Sequence, residues 1–189
     1  MKKTFLLVWL MVALLLTSCS PGDSDRDRIK AIFKMNDREM ANGCFEKVID
    51  AIQKRDAEAL KALFSVSAQK EAENLEDSIQ ELFEYYQGEM VSYKDWASPN
   101  TDTGMNTDNR GHYWKKLYAT YDVETTQEPY RFAMEYIALD TDDENSTGIR
   151  SLYVIKLKED TNPHRAYRGD GEYTPGIQLR KTKPKVPED

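Results

Sequence analysis

Carboxylates on the predicted strands are the side chains of this 189-residue chain that could do acid–base chemistry. Such chemistry needs a carboxyl group held near its substrate with a tuned pKa, and burial usually does the tuning. Side chains alternate strictly between the two faces of a strand. Along residues 112–126 the inner, apolar face carries Leu117, Ala119, Tyr121 and Val123. We therefore predict that Asp122, Glu124 and Glu135 face water and that the chain has no catalytic residue, unless a β-bulge resets the alternation.

Tyrosines with inward parity form a candidate ligand site. A pocket lined by phenol groups could bind a small molecule through ring contacts and hydroxyl hydrogen bonds. The alternative is that the same rings are core residues with hydroxyls at the rim, since a buried tyrosine needs a partner for its OH. The candidates are Tyr85 (or its neighbour Tyr86), Tyr121, Tyr136 and Tyr153.

The opposite face of the long strand carries a row of large ring side chains, His112, Trp114 and Tyr118. Exposed aromatic residues in a row can mark a partner-binding surface. Alternatively, Arg131, Glu135 or the C-terminal segment covers them. The sequence is compatible with both arrangements.

Metal binding is disfavoured by residue type and spacing. His112 and His164 are the two histidines, too few for a multi-histidine centre. The acidic run at 140–144 invites a calcium interpretation, but an EF-hand loop needs Gly at its sixth position and Glu at its twelfth. Asn145 and Ser151 stand at those positions. We therefore predict a solvated turn, no metal and no cofactor.

Three helical segments precede the strands. The first has an apolar stripe that repeats every four residues, with Asn36 or Asp37 as its cap: Met40, Cys44, Val48 and Ile52. Membership of this stripe predicts that Cys44 is a small core residue rather than a reactive thiol. Asp56 fits the N-cap of a short second helix, and Ser67 that of a third. The third presents Leu75, Ile79, Leu82, Phe83 and Tyr86 on its apolar face, with Gly88 placed to end it.

After Gly88 the apolar period changes to two, which predicts strands. The last of them is predicted to point Ile149, Tyr153, Ile155 and Leu157 inward. Helices followed by hairpin-connected strands indicate an α+β domain. We expect N-terminal helices packed on one face of a curved antiparallel sheet of about four strands, with the other face wet. The predicted strands are 90–96, 112–126, 130–138 and 149–157, with Ser98–Gly111 as a loop.

The N-terminus has the marks of a signal peptide: Lys2 and Lys3, then an apolar run too short to span a bilayer. It ends in Leu16-Thr17-Ser18-Cys19, which resembles the lipobox of bacterial lipoproteins. That resemblance implies that Cys19 is diacylated and becomes the new N-terminus, and two acyl chains anchor a protein stably. The alternative is an ordinary secretory signal with a chance cysteine.

Composition and charge limit the domain organisation and the possible partners. We predict a signal peptide at 1–18, the lipidated cysteine and a polar tether at 19–36, one domain at 37–180 and a disordered tail at 181–189. The formal net charge of −7 becomes more negative without Lys2 and Lys3. An acidic chain without a basic stripe argues against nucleic acid as a partner.

The run from Ala51 to Ser65, a helix broken at Asp56 before a short helix ending in Phe-Ser, suggests a family. With the helix–sheet order that follows, it resembles bacterial lipoproteins of unknown function built on the nuclear-transport-factor-2-like (cystatin-like) cone fold. The resemblance covers about Asp37 to Leu157, and Pro175-Gly176-Ile177 matches a closing motif. It implies a fold that hosts isomerases, dehydratases, hydrolases and non-catalytic binding modules.

These patterns favour a lipid-anchored binding module on the extracytoplasmic face of the cell membrane, in contact with the bilayer through Cys19 and not an enzyme. The first alternative is a small-molecule enzyme of isomerase, dehydratase or hydrolase type that uses the cone pocket. The second is a structural envelope protein that self-associates through the outer face of the sheet.

Overall fold

The structure, a computed structural model, describes residues 21–106, 111–160, 169 and 171–179. The predicted signal peptide, Cys19 and the tail at 181–189 lie outside these residues. The chain divides into two units, residues 1–34 and residues 35–189.

Helix α1 (Pro21–Lys34) belongs to the first unit. The polar stretch that ends at Arg28 was predicted to be part of a tether, and it is helical from Pro21 onward. Proline suits the first helical position because no N–H is needed there. Lys30 pairs with Asp27 at 3.7 Å one turn away. No helix among the described residues is both long and apolar enough to cross a bilayer.

Helix α2 (Asp37–Lys54) opens the second unit and confirms the predicted apolar stripe. Its N-cap is Asn36, whose side-chain oxygen accepts from the backbone N–H groups of Arg38 (2.9 Å) and Glu39 (3.2 Å). The buried face of α2 packs into the core against the sheet. Its buried residues are Ala41, Cys44, Phe45, Val48, Ile49, Ala51 and Ile52. Cys44 is therefore a core residue, as predicted.

Three short helices follow, α3 (Ala57–Ala62), α4 (Val66–Glu71) and α5 (Leu75–Tyr85). Asp56 caps α3 as predicted, accepting from the Ala59 N–H at 2.9 Å. The cap of α4 is Ser65 rather than the predicted Ser67.

The predicted third helix is two helices, α4 and α5. Asn74 takes a left-handed conformation with φ of 53° directly before α5, and this breaks the run. Helix α5 ends at Tyr85, before Gly88. Its predicted apolar face is confirmed: Leu75, Ile79, Leu82 and Phe83 are buried.

The sheet has six strands rather than four. Strands β1 and β2 both pair with β3, and the order continues through β4 and β5 to β6. The pairs are antiparallel except β5 with β6, which is parallel, so the sheet is mixed. The strands are β1 (Met90–Asp95), β2 (Asn100–Asn106), β3 (His112–Thr125), β4 (Tyr130–Asp140), β5 (Gly148–Lys156) and β6 (Gly176–Leu179).

Strand β2 lies in the segment predicted to be a loop. Its register runs from Asn100 opposite Tyr118 to Asn106 opposite His112. Because β3 has 14 residues and β1 only 6, the first half of β3 needs a second partner for its backbone groups. Cross-strand pairing thus overrides the low strand propensity of the Asn, Asp and Gly residues in β2.

A register shift in the β4–β5 pair changes which side chains face inward. Glu135 pairs with Ser151 and Tyr136 with Ile149, so Arg150 is the additional residue of a bulge. Beyond it Leu152 and Val154 join the core that Ile149 also contacts. The predicted inward positions of Tyr153 and Ile155 are therefore wrong, because the bulge resets the alternation. Leu157 follows the end of β5.

The two faces of the sheet are both covered. On the inner face the helices pack over β3, β4 and β5. On the outer face Asp122, Arg131 and Glu135 are only 8%, 3% and 5% exposed. The prediction that the outer face is wet is wrong for its centre.

Candidate functional site

Aromatic rings fill the interior between helices and sheet. The Phe45 and Tyr121 rings stack with centroids 3.9 Å apart, and Tyr93 and Phe132 meet the Phe45 ring edge-on. The Tyr121 hydroxyl donates to the side-chain oxygen of Asn42 at 3.1 Å. Tyr121 is thus a core residue with a satisfied hydroxyl.

The four candidate tyrosines do not share one pocket. The Tyr85 hydroxyl donates to Glu159 (3.0 Å) and accepts from the Lys156 N–H (2.9 Å). Tyr136 packs at the margin of the inner core. The Tyr153 hydroxyl accepts from the Thr174 N–H at 2.7 Å, on the outer face to which the bulge directs it.

Of the three acids expected in water, only Glu124 is exposed. The Asp122 carboxylate accepts hydrogen bonds from Nε (2.6 Å) and from a terminal nitrogen (3.0 Å) of Arg131, which makes a bidentate ion pair. The other terminal nitrogen of Arg131 donates to Asp160 at 2.7 Å. Asp122 is therefore buried because its charge is paired, which strand parity cannot show.

Glu135 is buried on the outer face beside Tyr118. Burial raises its pKa, against the opposing effect of the nearby Arg150 and Lys116. The Oε2 atom of Glu135 lies 3.8 Å from Arg150 Nε and accepts no hydrogen bond from the described residues. Burial first, and then the negative charge of Glu135, raises the pKa of Tyr118 to about 12. Because Glu135 is only 5% exposed, its carboxylate does not reach an open surface.

The outer face also carries a cleft of about 210 Å³, called the outer cleft below. Three half-buried rings line it, together with neutral polar groups and small apolar side chains. No carboxylate, lysine or arginine lines it among the residues that the structure describes. Its rings and polar groups are Trp96, Tyr118, Tyr173, Ser98, Asn100 and Thr120.

Two of the three rings of the predicted partner surface lie together, since the His112 and Trp114 ring centroids are 5.0 Å apart. His112 lies with Nε2 3.0 Å from Asp140, and the Trp114 indole N–H donates to Asp102 at 3.3 Å. The Trp114 ring also covers Gly104, where an added Cβ would stand 2.0 Å from it. Tyr118 lines the outer cleft against Tyr173, with centroids 4.8 Å apart.

The acidic turn is organised by its own backbone. Asp140 accepts from the N–H groups of Asp142 (3.1 Å) and Asp143 (3.2 Å), and Asp143 from that of Asn145 (3.1 Å). Within the described ranges no group of three or more His, Cys, Asp and Glu is arranged to hold a metal ion. Burial raises the pKa of the Cys44 thiol to about 12, which keeps it protonated.

The sequence patterns did not predict the roles of three residues, Trp96, Lys115 and Arg131. Trp96 directly follows β1 and holds its ring 5.9 Å from the Arg131 guanidinium. Lys115 is buried, with its ammonium nitrogen 2.6 Å from the Asp37 carboxylate. The inward parity that Lys115 shares with Leu117 could have indicated it. Nothing in the local sequence indicates the partners of Arg131.

The fold and site define a class, an α+β domain with helices on one face of a curved, open mixed sheet and an aromatic cleft on the other. The chain belongs to the family described as a domain of unknown function, DUF5104, which matches residues 47–157. No curated protein matches it. The matched span includes Trp96, Tyr118 and Arg131, whereas Tyr173 lies beyond it.

Proposed function

We propose that this protein is a lipid-anchored binding module of the extracytoplasmic membrane face that holds its ligand in the outer cleft. The observation that carries the proposal is the contrast between the two faces of the sheet. Stacked rings fill the inner side, and half-buried rings with neutral polar groups line a cleft on the outer side. Binding sites commonly combine aromatic walls with a few polar groups.

The fold proposed for this module is the nuclear-transport-factor-2-like cone. Helices packed on one face of a curved, open sheet support it. In this chain Phe45 and Tyr121 occupy the interior of the proposed cone in direct stacking contact. The proposed ligand site therefore lies on the opposite face of the sheet, where the Tyr118 and Tyr173 rings are in contact.

The proposed anchor is Cys19, on the strength of the lipobox-like residues and the apolar run before them. Mass spectrometry of the full-length protein extracted from its host membrane should find an N-terminal diacylglyceryl cysteine. Cys19→Ala should move the protein out of the membrane fraction or leave it unprocessed. An unmodified, soluble mature form in the host would refute the anchor and leave the cleft unaffected.

Filling the outer cleft should abolish ligand retention. Ala97 lines the cleft and is exposed, so Ala97→Trp adds a ring there without disturbing the core. The full-length protein is equilibrated with an envelope extract of its host, and the compounds that it retains are identified by mass spectrometry. At least one compound should be enriched on the wild type and lost from the variant.

Val91→Trp is the matched control, because Val91 is 67% exposed and lies outside the cleft lining. It should retain what the wild type retains. If no compound distinguishes the wild type and this control from Ala97→Trp, the outer cleft is not the binding site.

A further inference from the structure

The walls of the outer cleft are aromatic faces. The Tyr118 and Tyr173 rings lie with centroids 4.8 Å apart at an interplanar angle of 49°, and Trp96 contributes a third ring. An aromatic face carries partial negative charge. It attracts groups whose hydrogens are slightly positive, such as the C–H groups on one side of a sugar ring.

The polar groups of the cleft can both donate and accept. The Ser98 oxygen accepts from Arg38 at 2.7 Å, and its hydroxyl still carries a proton to donate. The Asn100 amide offers two N–H donors and one carbonyl acceptor. A ligand rich in hydroxyl groups needs this mixture, because each hydroxyl also donates one hydrogen bond and accepts others.

The charges around the cleft oppose an ionic ligand of either sign. The Arg131 guanidinium lies 5.9 Å from the Trp96 ring, so a ligand cation on that ring would meet a like charge. Arg131 is bonded to Asp122 and Asp160. Arg38, which donates to Ser98, is also paired with Asp95 at 2.8 Å. Glu135 lies 3.8 Å from Arg150. These cations near the cleft are therefore already paired with carboxylates, and an anionic ligand would have to compete with them. A neutral ligand avoids both costs.

We infer that the outer cleft binds one sugar ring of a neutral glycan, an inference that rests on the proposed function and names its ligand class. The ring stacks on the aromatic wall formed by Trp96, Tyr118 and Tyr173, and its hydroxyls bond to Ser98 and Asn100. The volume of about 210 Å³ is below the roughly 300–1,000 Å³ of pockets that enclose drug-sized ligands. The cleft therefore suits a single ring of a longer chain that continues into solvent.

Isothermal titration with two trisaccharides tests the inference, maltotriose and the β-1,4-linked trimer of N-acetylglucosamine. The full-length protein is purified in a detergent without a sugar headgroup, because such headgroups would compete. At least one trisaccharide should bind saturably to the wild type and to Val91→Trp. Its affinity should fall at least about tenfold in Ala97→Trp and in Asn100→Ala. Circular dichroism confirms that the variants are folded.

Tetramethylammonium and glucose 6-phosphate, titrated in parallel, probe the two excluded charge classes. Binding of either ion without binding of a trisaccharide would overturn the inference, as would trisaccharide binding that the Ala97→Trp ring leaves unchanged. If no trisaccharide binds while the envelope-extract experiment still finds a compound lost from Ala97→Trp, the ligand class is wrong and the binding function stands. If both experiments fail, the binding function fails as well.

Discussion

Arg131→Met should lower the free energy of unfolding by about 3–5 kcal/mol, the usual cost of removing one partner from a buried charge pair. The variant leaves the carboxylates of Asp122 and Asp160 without their guanidinium. The side chains of the three residues are 4%, 11% and 6% exposed, in the order Arg131, Asp122 and Asp160. Neither carboxylate can recover the lost bonds from water without opening the structure. Urea denaturation followed by circular dichroism measures the loss.

The control is Lys54→Met, which breaks an ion pair with Asp50 on the surface of α2. Both side chains are more than half exposed, at 66% and 61%. Exposed pairs contribute little, so this change should stay within roughly 0.5 kcal/mol. Equal losses in the two variants would show that the Arg131 pair is solvated.

Arg131 also connects stability to the proposed site. Its guanidinium supports the Trp96 ring from outside the cleft and holds Asp160, after the end of β5, on the outer face. For this reason Arg131→Met is a test of stability and not of binding. The binding experiments use Ala97 and Asn100, which are exposed at the cleft.

Leu82→Ala should destabilise the protein by about 2–5 kcal/mol, the range for truncating a buried leucine. Leu82 lies in α5 at 0% exposure, within the same core as Ile79 and Phe83. The truncation removes contacts and leaves a cavity that packed neighbours cannot fully close. The loss should appear as a lower denaturant midpoint with an unchanged slope.

Glu81→Ala is the neighbouring control, since Glu81 occupies the exposed side of α5. Its free energy of unfolding should stay within roughly 0.5 kcal/mol of the wild type. A loss as large as that of Leu82→Ala would mean that the buried face of α5 is not the one described.

Local periodicity predicted the inner core well. The four-residue repeat around Val48 and the spacing of Ile79, Leu82 and Phe83 correspond to the buried faces of α2 and α5. A buried helix face repeats with the helical turn, so neighbouring residues suffice to identify it. The alternation of Leu117 and Tyr121 on β3 is correct for the same reason.

The outer face could not be predicted in this way. Its candidate site depends on three tertiary features that local periodicity does not predict. These are the bulge at Arg150, the pairing of β2 with β3, and the packing of Tyr173 beside Tyr118. Parity assigned Asp122 to water, but Arg131 and Asp160 bury it by neutralising its charge. The buried helix faces and the inner core follow from residues close together in the chain, whereas strand β2 depends on its pairing with β3. The cleft arises from contacts between residues 55 positions apart, because tertiary packing alone brings Tyr118 and Tyr173 together.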